Sequence, residues 1–364
     1  MKKNVLNFQI GTSTLQDSHE KSYEIVFEVY NNLQMCENIL VKEYFHEISN
    51  DEFYESLKYH FDVFYSILNT KKFHLIDNFF IWKYSYCYKR KIDVDYFLIE
   101  YDFWKQSYTK YLYPSQSFEI NMIYDYIINN HAYYKECSLN FEDTSINVKH
   151  KELFNKLLNC LLTSQRDEFY GLIVENLITF NNDIFLFIKD IVNPLMYKIG
   201  LMWQFNEISV AKEHLATSII DEVINDFLKK DLILESSIQN KPIALVSTVG
   251  EESHILPIKI LTKFLQTKNY QVRNISSKLS NKELVNFIYE LEPKLIVLSI
   301  TLPSNIVSLK KLVKRLKDDE GFLGTIIVGG QALFNNEELI QIDGADFVAR
   351  SLDDLDNYLK IKKI

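Results

Sequence analysis

Five short runs rich in branched side chains punctuate the last third of the chain: IALVSTV (243–249), QVRNIS (271–276), LIVLSIT (295–301), TIIVGG (325–330) and FVA (347–349). Amphipathic helical segments separate them, and that alternation predicts a parallel sheet covered by helices on both faces. Five such strands favour a flavodoxin-like Rossmann order, which places a ligand outside the C-terminal ends of the first and third strands. Glycine placement agrees. Six of the nine glycines fall here, at Gly250, Gly321, Gly324, Gly329, Gly330 and Gly344, where backbone turns tightly or approaches something closely.

The rest of the chain reads as helical, so the fold class is α plus α/β. Residues 1–145 are rich in Tyr and Phe, with Phe61, Phe64, Tyr65 and Leu68, and then Phe79, Trp82 and Tyr86, at helical intervals. The first twenty residues are polar and expected to be flexible, and NFEDTSINVK near 140–149 reads as a linker. Residues 146–235 show helical periods broken at TSQRD, FNND and FNEIS, which gives a four-helix bundle whose last helix starts near Ser209, a suitable N-cap. Residues 240–364 form the Rossmann-like domain.

Composition narrows the function. An apolar share of 47% and a charged share of 24% suit a soluble globular protein. With no long apolar run and too short an apolar stretch in MKKNVLNFQIGTST for a signal peptide, a cytoplasmic location is expected, without a membrane partner. Cys36, Cys87, Cys137 and Cys160 form no Cys-x-x-Cys pair, against a disulfide framework or zinc ribbon. The net charge of −9 disfavours nucleic-acid binding.

Sheet topology points to two loops. After the first strand comes GEESHILP, with Glu252 and His254; the third ends in LSITLPSN, with Ser299 and Thr301; the fourth ends in Gly329–Gly330, where the missing Cβ leaves room for a bulky group. Singly these are weak: a loop histidine is usually a hydrogen-bonding surface residue, and strand-end Ser and Thr usually bond their own backbone. Jointly, at one switch point, they gain weight. A neutral imidazole is a good transition-metal ligand, and a carboxylate two residues earlier can hold its other nitrogen.

These residues resemble the cobalamin-binding domains of the methionine synthase type, which carry Asp-x-His-x-x-Gly, then Ser-x-Leu, then Gly-Gly. Here the series is Glu252-Ser253-His254-Ile255-Leu256-Pro257, then Ser299-Ile300-Thr301, then Gly329-Gly330. The resemblance implies that His254 is the lower axial ligand of cobalt, with the cofactor's benzimidazole displaced. It also implies that the nucleotide tail runs between Ser299, Thr301 and the Gly-Gly turn. Three positions depart from the pattern: Glu252 for Asp, Thr301 for Leu, and Pro257 for the glycine near the tail.

By the same resemblance, the preceding bundle is a cap over the upper face of the corrin. Light-sensing repressors of the CarH type carry Trp, nine residues, then Glu-His in their cap; this chain has Trp203, residues 204–212, then Glu213–His214. The resemblance assigns Trp203 and Glu213 to an upper adenosyl group and His214 to capture of cobalt after photolysis. An indole offers a rigid packing face and a carboxylate accepts hydrogen bonds from ribose hydroxyls. A helix-end tryptophan is commonly a core anchor, and an adjacent Glu-His pair commonly faces solvent. The spacing and the domain that follows favour the cofactor role.

Residues 1–145 lack the basic winged helix of those repressors, so direct DNA binding is not expected. The stretch around His60 and Trp82 loosely resembles globin-like helical sensor domains, as in photocobilins, which implies a second chromophore such as biliverdin lined by His60, His74, Trp82 and Tyr86. The plainer alternative makes these residues core or surface of a helical bundle.

The resulting expectation is an adenosylcobalamin photoreceptor, a sensor rather than a catalyst, acting as a homo-oligomer (dimer or tetramer) on an unidentified protein partner. The alternatives are a corrinoid methyl carrier of a methyltransferase system and a light-independent cobalamin sensor. A mutase lacks its large barrel here.

Overall fold

The computed structural model describes residues 8–47, 50–139, 149–230, 241–250, 252, 254–275, 279–335, 338–339 and 342–363. The stretch read as a linker lies almost wholly outside these, as does the junction near 235–240. The chain divides into two compact units, Met1–Asp143 with Gln204–Asn206, and Thr144–Trp203 with Glu207–Ile364. Among the described residues no single helix is long and apolar enough to cross a membrane.

The first unit is helical: α1 (Thr12–Glu20), α2 (Ser22–Gln34), α3 (Ile39–Glu47), α4 (Asn50–Thr70), α5 (Leu75–Lys89), α6 (Tyr96–Tyr111), α7 (Pro114–Asn129) and α8 (His131–Leu139). The periodic residues Phe61, Phe64, Tyr65 and Leu68 are buried on α4, as is Phe79 on α5. The helix α1 occupies a stretch expected to be flexible. Polar contacts hold it: Gly11 N and Thr14 Oγ1 donate to Glu119 at 2.9 and 2.7 Å, and Gln116 Nε2 donates to Asp17 at 2.6 Å. Apolar periodicity carries no trace of such an anchor.

The second unit begins with α9 (Lys151–Leu162) and α10 (Arg166–Asn176). A left-handed pair, Asn181 and Asn182, turns the chain, and Asp183 then caps α11 (Ile184–Phe187) by accepting from Phe185 N and Leu186 N. A π turn (Ile188–Val192) joins α11 to α12 (Asn193–Gln204). Pro194 explains it, because proline lacks the N–H that would bond the Asp190 carbonyl and its ring crowds that oxygen. Ser209 caps α13 (Val210–Lys230): its carbonyl accepts from Glu213 N at 3.0 Å and its hydroxyl from Lys212 N at 3.3 Å. The four helical stretches and their three breaks match the sequence reading.

The sheet that follows is parallel, with β1 (Ile243–Thr248), β2 (Gln271–Ile275), β3 (Leu295–Ser299), β4 (Thr325–Gly329) and β5 (Phe347–Ala349) in the order β2-β1-β3-β4-β5. This is the expected flavodoxin-like topology. Side chains alternate between faces as the strand period requires. Leu245, Ile296, Leu298, Ile326 and Val328 pack with α15 (Asn281–Leu291) and α16 (Ile306–Lys314), while Ala244, Val246, Leu295, Val297 and Ile327 pack with α14 (Leu256–Thr267) and α17 (Leu352–Lys362). Register aligns Thr248 with Ser299 and Ser299 with Gly329, so these three stand in one row across the C-terminal edge.

The helix α13 packs on α14. Leu256 and Ile260 belong to the same apolar cluster as Ile220, Val223 and Ile224 of α13, and Lys259 Nζ donates to Asp221 of α13 at 2.6 Å. The helix that starts two residues after His254 is therefore packed on the helix that carries Glu213 and His214.

Candidate functional site

The loop after β1 is shaped by Gly250, whose φ of +71° suits glycine and whose Cβ, if present, would meet Asn305 Oδ1 at 2.5 Å. Asn305 thereby reaches Glu252. The Glu252 carboxylate is 2% exposed, and its Oε2 accepts from Thr301 N at 2.7 Å, Leu302 N at 3.1 Å and Asn305 Nδ2 at 3.4 Å. Its Oε1 accepts from His254 N at 3.1 Å and also meets His254 Nδ1. Burial alone would raise this carboxyl, but the bonds from His254 and Thr301 outweigh it and hold the group at about 2.

His254 consequently carries its proton on Nδ1, and Nε2 meets no hydrogen-bond partner among the described residues. The side chain is 44% exposed. Its pKa is raised, first by the bond to Glu252, against the effect of burial, and further by the charges of Glu252 and of Glu213.

In the cap, His214 is 75% exposed and its Nδ1 lies 2.6 Å from Glu213 Oε2; Thr217 Oγ1 donates to Glu213 Oε1 at 2.9 Å. Trp203, 38% exposed, stands in the last turn of α12. Both histidines therefore have the same preparation, with Nδ1 on a carboxylate and Nε2 turned away from it.

The floor of the sheet edge is polar. Ser299 is buried in the central row, and the hydroxyl of Thr248 beside it is buried without a hydrogen-bond partner. Such an atom is costly to leave unpaired, which marks it as a donor or acceptor for something bound. Pro257 sits in the first turn of α14, where no N–H is needed.

The Gly329–Gly330 pair needs a correction. A Cβ on Gly330, whose φ is +106°, would lie 2.2 Å from Ile300 O, and one on Gly329 would lie 3.0 Å from Ala349 O. The vacant space is filled by the chain's own backbone, which is the first reason these residues are glycines.

The residues read as lining a second chromophore are not brought into one cleft. His60 is 1% exposed in the core, with Nε2 3.1 Å from Tyr124 OH and Nδ1 2.8 Å from Lys83 Nζ. Its ring stacks on Trp104 at 4.9 Å. Lys83 in turn donates to Glu100 at 2.6 Å, and Tyr96 and Trp104 bond the same carboxylate. Both ring nitrogens of His60 are thus committed. His74 is exposed before α5, and Trp82 and Tyr86 are half-buried and pack on each other at 6.0 Å. His60 is thus a core residue and His74 a surface one.

Sequence reasoning placed Gly250 at a tight turn but missed Asn305, Thr217 and Thr248. Asn305 and Thr217 act through a neighbouring carboxylate, and none of the three carries a spacing signal of its own.

Among the described residues no three His, Cys, Asp or Glu side chains gather as a metal site. A corrin brings four nitrogens of its own, so a protein need supply only one axial imidazole. Residues 242–354 match a family described as B12 binding domain, and residues 153–225 match a second family of the same description. The chain carries a cobalamin-binding module. Three solved structures are similar to part of this chain. A monomethylamine corrinoid protein from Methanosarcina barkeri is 18% identical over 58% of this chain and 99% of its own, with a TM-score of 0.46. The methanol:cobalamin methyltransferase complex MtaBC from the same organism is 13% identical over 59% and 81%, with a TM-score of 0.31. A cobalamin-binding protein from Desulfitobacterium hafniense DCB-2 is 18% identical over 58% and 97%, with a TM-score of 0.30. No curated protein matches the sequence.

Cobalamin suits these residues. The His254 imidazole is oriented and partly open, and Thr248 offers an unpaired hydroxyl at the sheet edge. Exposed apolar side chains accompany both histidines, namely Trp203, Val210 and Leu215 in the cap and Ile255 beside His254.

Proposed function

We propose that this protein is a cytoplasmic, cobalamin-dependent light sensor that takes adenosylcobalamin between its cap (residues 146–235) and its Rossmann-like domain (residues 240–364). His254, oriented by Glu252, would hold the cobalt through its imidazole. Ser299, Thr301 and the Gly329–Gly330 turn flank the nucleotide tail. Trp203 and Glu213 would hold the adenosyl group, and His214 would offer a second imidazole to cobalt. Bound adenosylcobalamin supplies a cobalt–carbon bond that light cleaves.

The observation that carries this reading is the matched preparation of the two imidazoles. A methyl carrier needs a lower histidine only; an upper histidine whose Nδ1 is tied to a carboxylate and whose Nε2 is exposed is a second ligand in waiting. The signal passes to a protein partner, through a change of conformation or of assembly, because the two upper ligands make different contacts with the cap.

Two variants separate the roles. His254→Ala lowers cofactor retention in the dark, whereas His214→Ala leaves dark retention intact and shortens the life of the illuminated form. Absorption spectra after desalting, before and after light, read both. Equal effects of the two substitutions on dark retention would contradict the assignment.

A further inference from the structure

We infer that Thr248 is a specificity-determining residue for the corrinoid, its hydroxyl reading a hydrogen-bonding nitrogen on the lower nucleotide base. The inference rests on the cobalamin reading above and deepens it; no light step enters. Thr248 closes β1 and is 4% exposed, and its Oγ1 is buried with no hydrogen-bond partner among the described residues. The backbone beside it is satisfied, since Ser247 Oγ donates to the Thr248 carbonyl at 2.8 Å. A native fold seldom buries a hydroxyl unpaired, because nothing then replaces the hydrogen bonds it made with water.

Strand alternation says which face the hydroxyl occupies. Ala244 and Val246 of β1, Leu295 and Val297 of β3, and Ile327 of β4 pack with α14 and α17. Two residues further along each strand come Thr248, Ser299 and Gly329, in register and on that same face. Neighbouring strands lie about 4.8 Å apart, so the buried Thr248 and Ser299 side chains are immediate neighbours. Leu261 of α14, Ala349 of β5 and Leu352 of α17 are half-buried apolar side chains on the same cluster, and Gly329 is half-buried too. Two adjacent hydroxyls with apolar flanks suit a flat aromatic group that carries an acceptor nitrogen. Apolar flanks alone would not distinguish it from a ring lacking that atom; a buried hydroxyl left unpaired by such a ring does. The displaced benzimidazole of cobalamin carries such a nitrogen.

The test titrates the full chain in the dark with two ligands and follows binding by absorption. One is hydroxocobalamin; the other is a corrinoid whose lower base is a phenol and so has no ring nitrogen. The quantity read is the ratio of the two dissociation constants, in which any cost of freeing the base is common to parent and variants. Thr248→Val keeps the shape and β-branching but removes the hydroxyl, and Thr248→Ser keeps it. The ratio is expected to move about tenfold against hydroxocobalamin in the valine variant and to stay within about twofold of the parent in the serine variant. The phenolyl corrinoid should bind the valine variant at least as well as the parent. Without cofactor, the valine variant should melt no lower than the parent, since no bond within the protein is lost. Should the valine variant misfold, Thr248→Ala carries the same expectation for the ratio.

An unchanged ratio in the valine variant overturns the inference and would mean that Thr248 holds only a buried water. A valine variant that binds both corrinoids equally more weakly overturns it as well, and so does a serine variant that behaves as valine does. A parent protein that binds neither corrinoid ends the cobalamin reading and this inference with it. A parent that binds hydroxocobalamin, but whose adenosylcobalamin-loaded form is unchanged by light, loses the light-sensor reading alone, and Thr248 keeps its role.

Discussion

At the scale of single residues, the site is built from groups that act through one another. Glu252 orients His254, Asn305 supports Glu252, and Gly250 admits Asn305. The first link was legible because acid and imidazole stand two positions apart; the others join loops more than fifty residues apart and leave no local pattern. The Gly-Gly pair was legible as special, but its reason was not. With Ile300 O in the place of its Cβ, Gly330→Ala should cost about 3 kcal/mol or more. Urea unfolding reads this directly; a loss under 1 kcal/mol would mean the backbone there yields.

A second residue carries a pH signature. Burial pushes the half-buried carboxyl of Asp62, on α4, up to about 6, against the charge of Lys58. A folded pKa above the unfolded one favours the folded state at low pH, and this support is lost as pH rises through about 6. Asp62→Asn should therefore leave the melting temperature unchanged near pH 4 and raise it near pH 8, by an amount equivalent to at most about 3 kcal/mol. The opposite trend with pH would show that Asp62 is stabilised as a charge.

At the scale of elements, the strands were legible because buried parallel strands demand branched apolar runs, and the row Thr248, Ser299 and Gly329 follows from their register. Two elements were not. The anchor of α1 is a set of polar contacts to α7, invisible to hydrophobic periodicity. The π turn before Pro194 shifts the face that α12 presents by more than a 3.6-residue period foretells. The cap of α13 was foreseen, and it matters for function because the first turn it closes bears Glu213 and His214. Ser209→Ala should destabilise the second unit by about 1 kcal/mol, and Ser209→Asp should restore it. Thermal unfolding of both variants tests the point; an alanine variant as stable as the parent would show that Ser209 does not act as the cap.

At the scale of the whole molecule, the two units differ in what they offer. The second carries both B12 binding domain matches and all the residues proposed to hold the cofactor. The first packs its interior with aromatic rings around a buried Lys83–Glu100 pair that also engages His60. Removing one partner of such a pair leaves a charge stranded. A net charge of −9 disfavours non-specific binding to nucleic acid.

The most direct measurement is an absorption spectrum of the purified protein loaded with adenosylcobalamin in darkness, desalted, and then exposed to green light. The account predicts that the cofactor is retained and that light converts it to a lasting form with imidazole on both faces of cobalt, formed by His254 and His214. Retention without that conversion, or release of the cofactor on illumination, would contradict it.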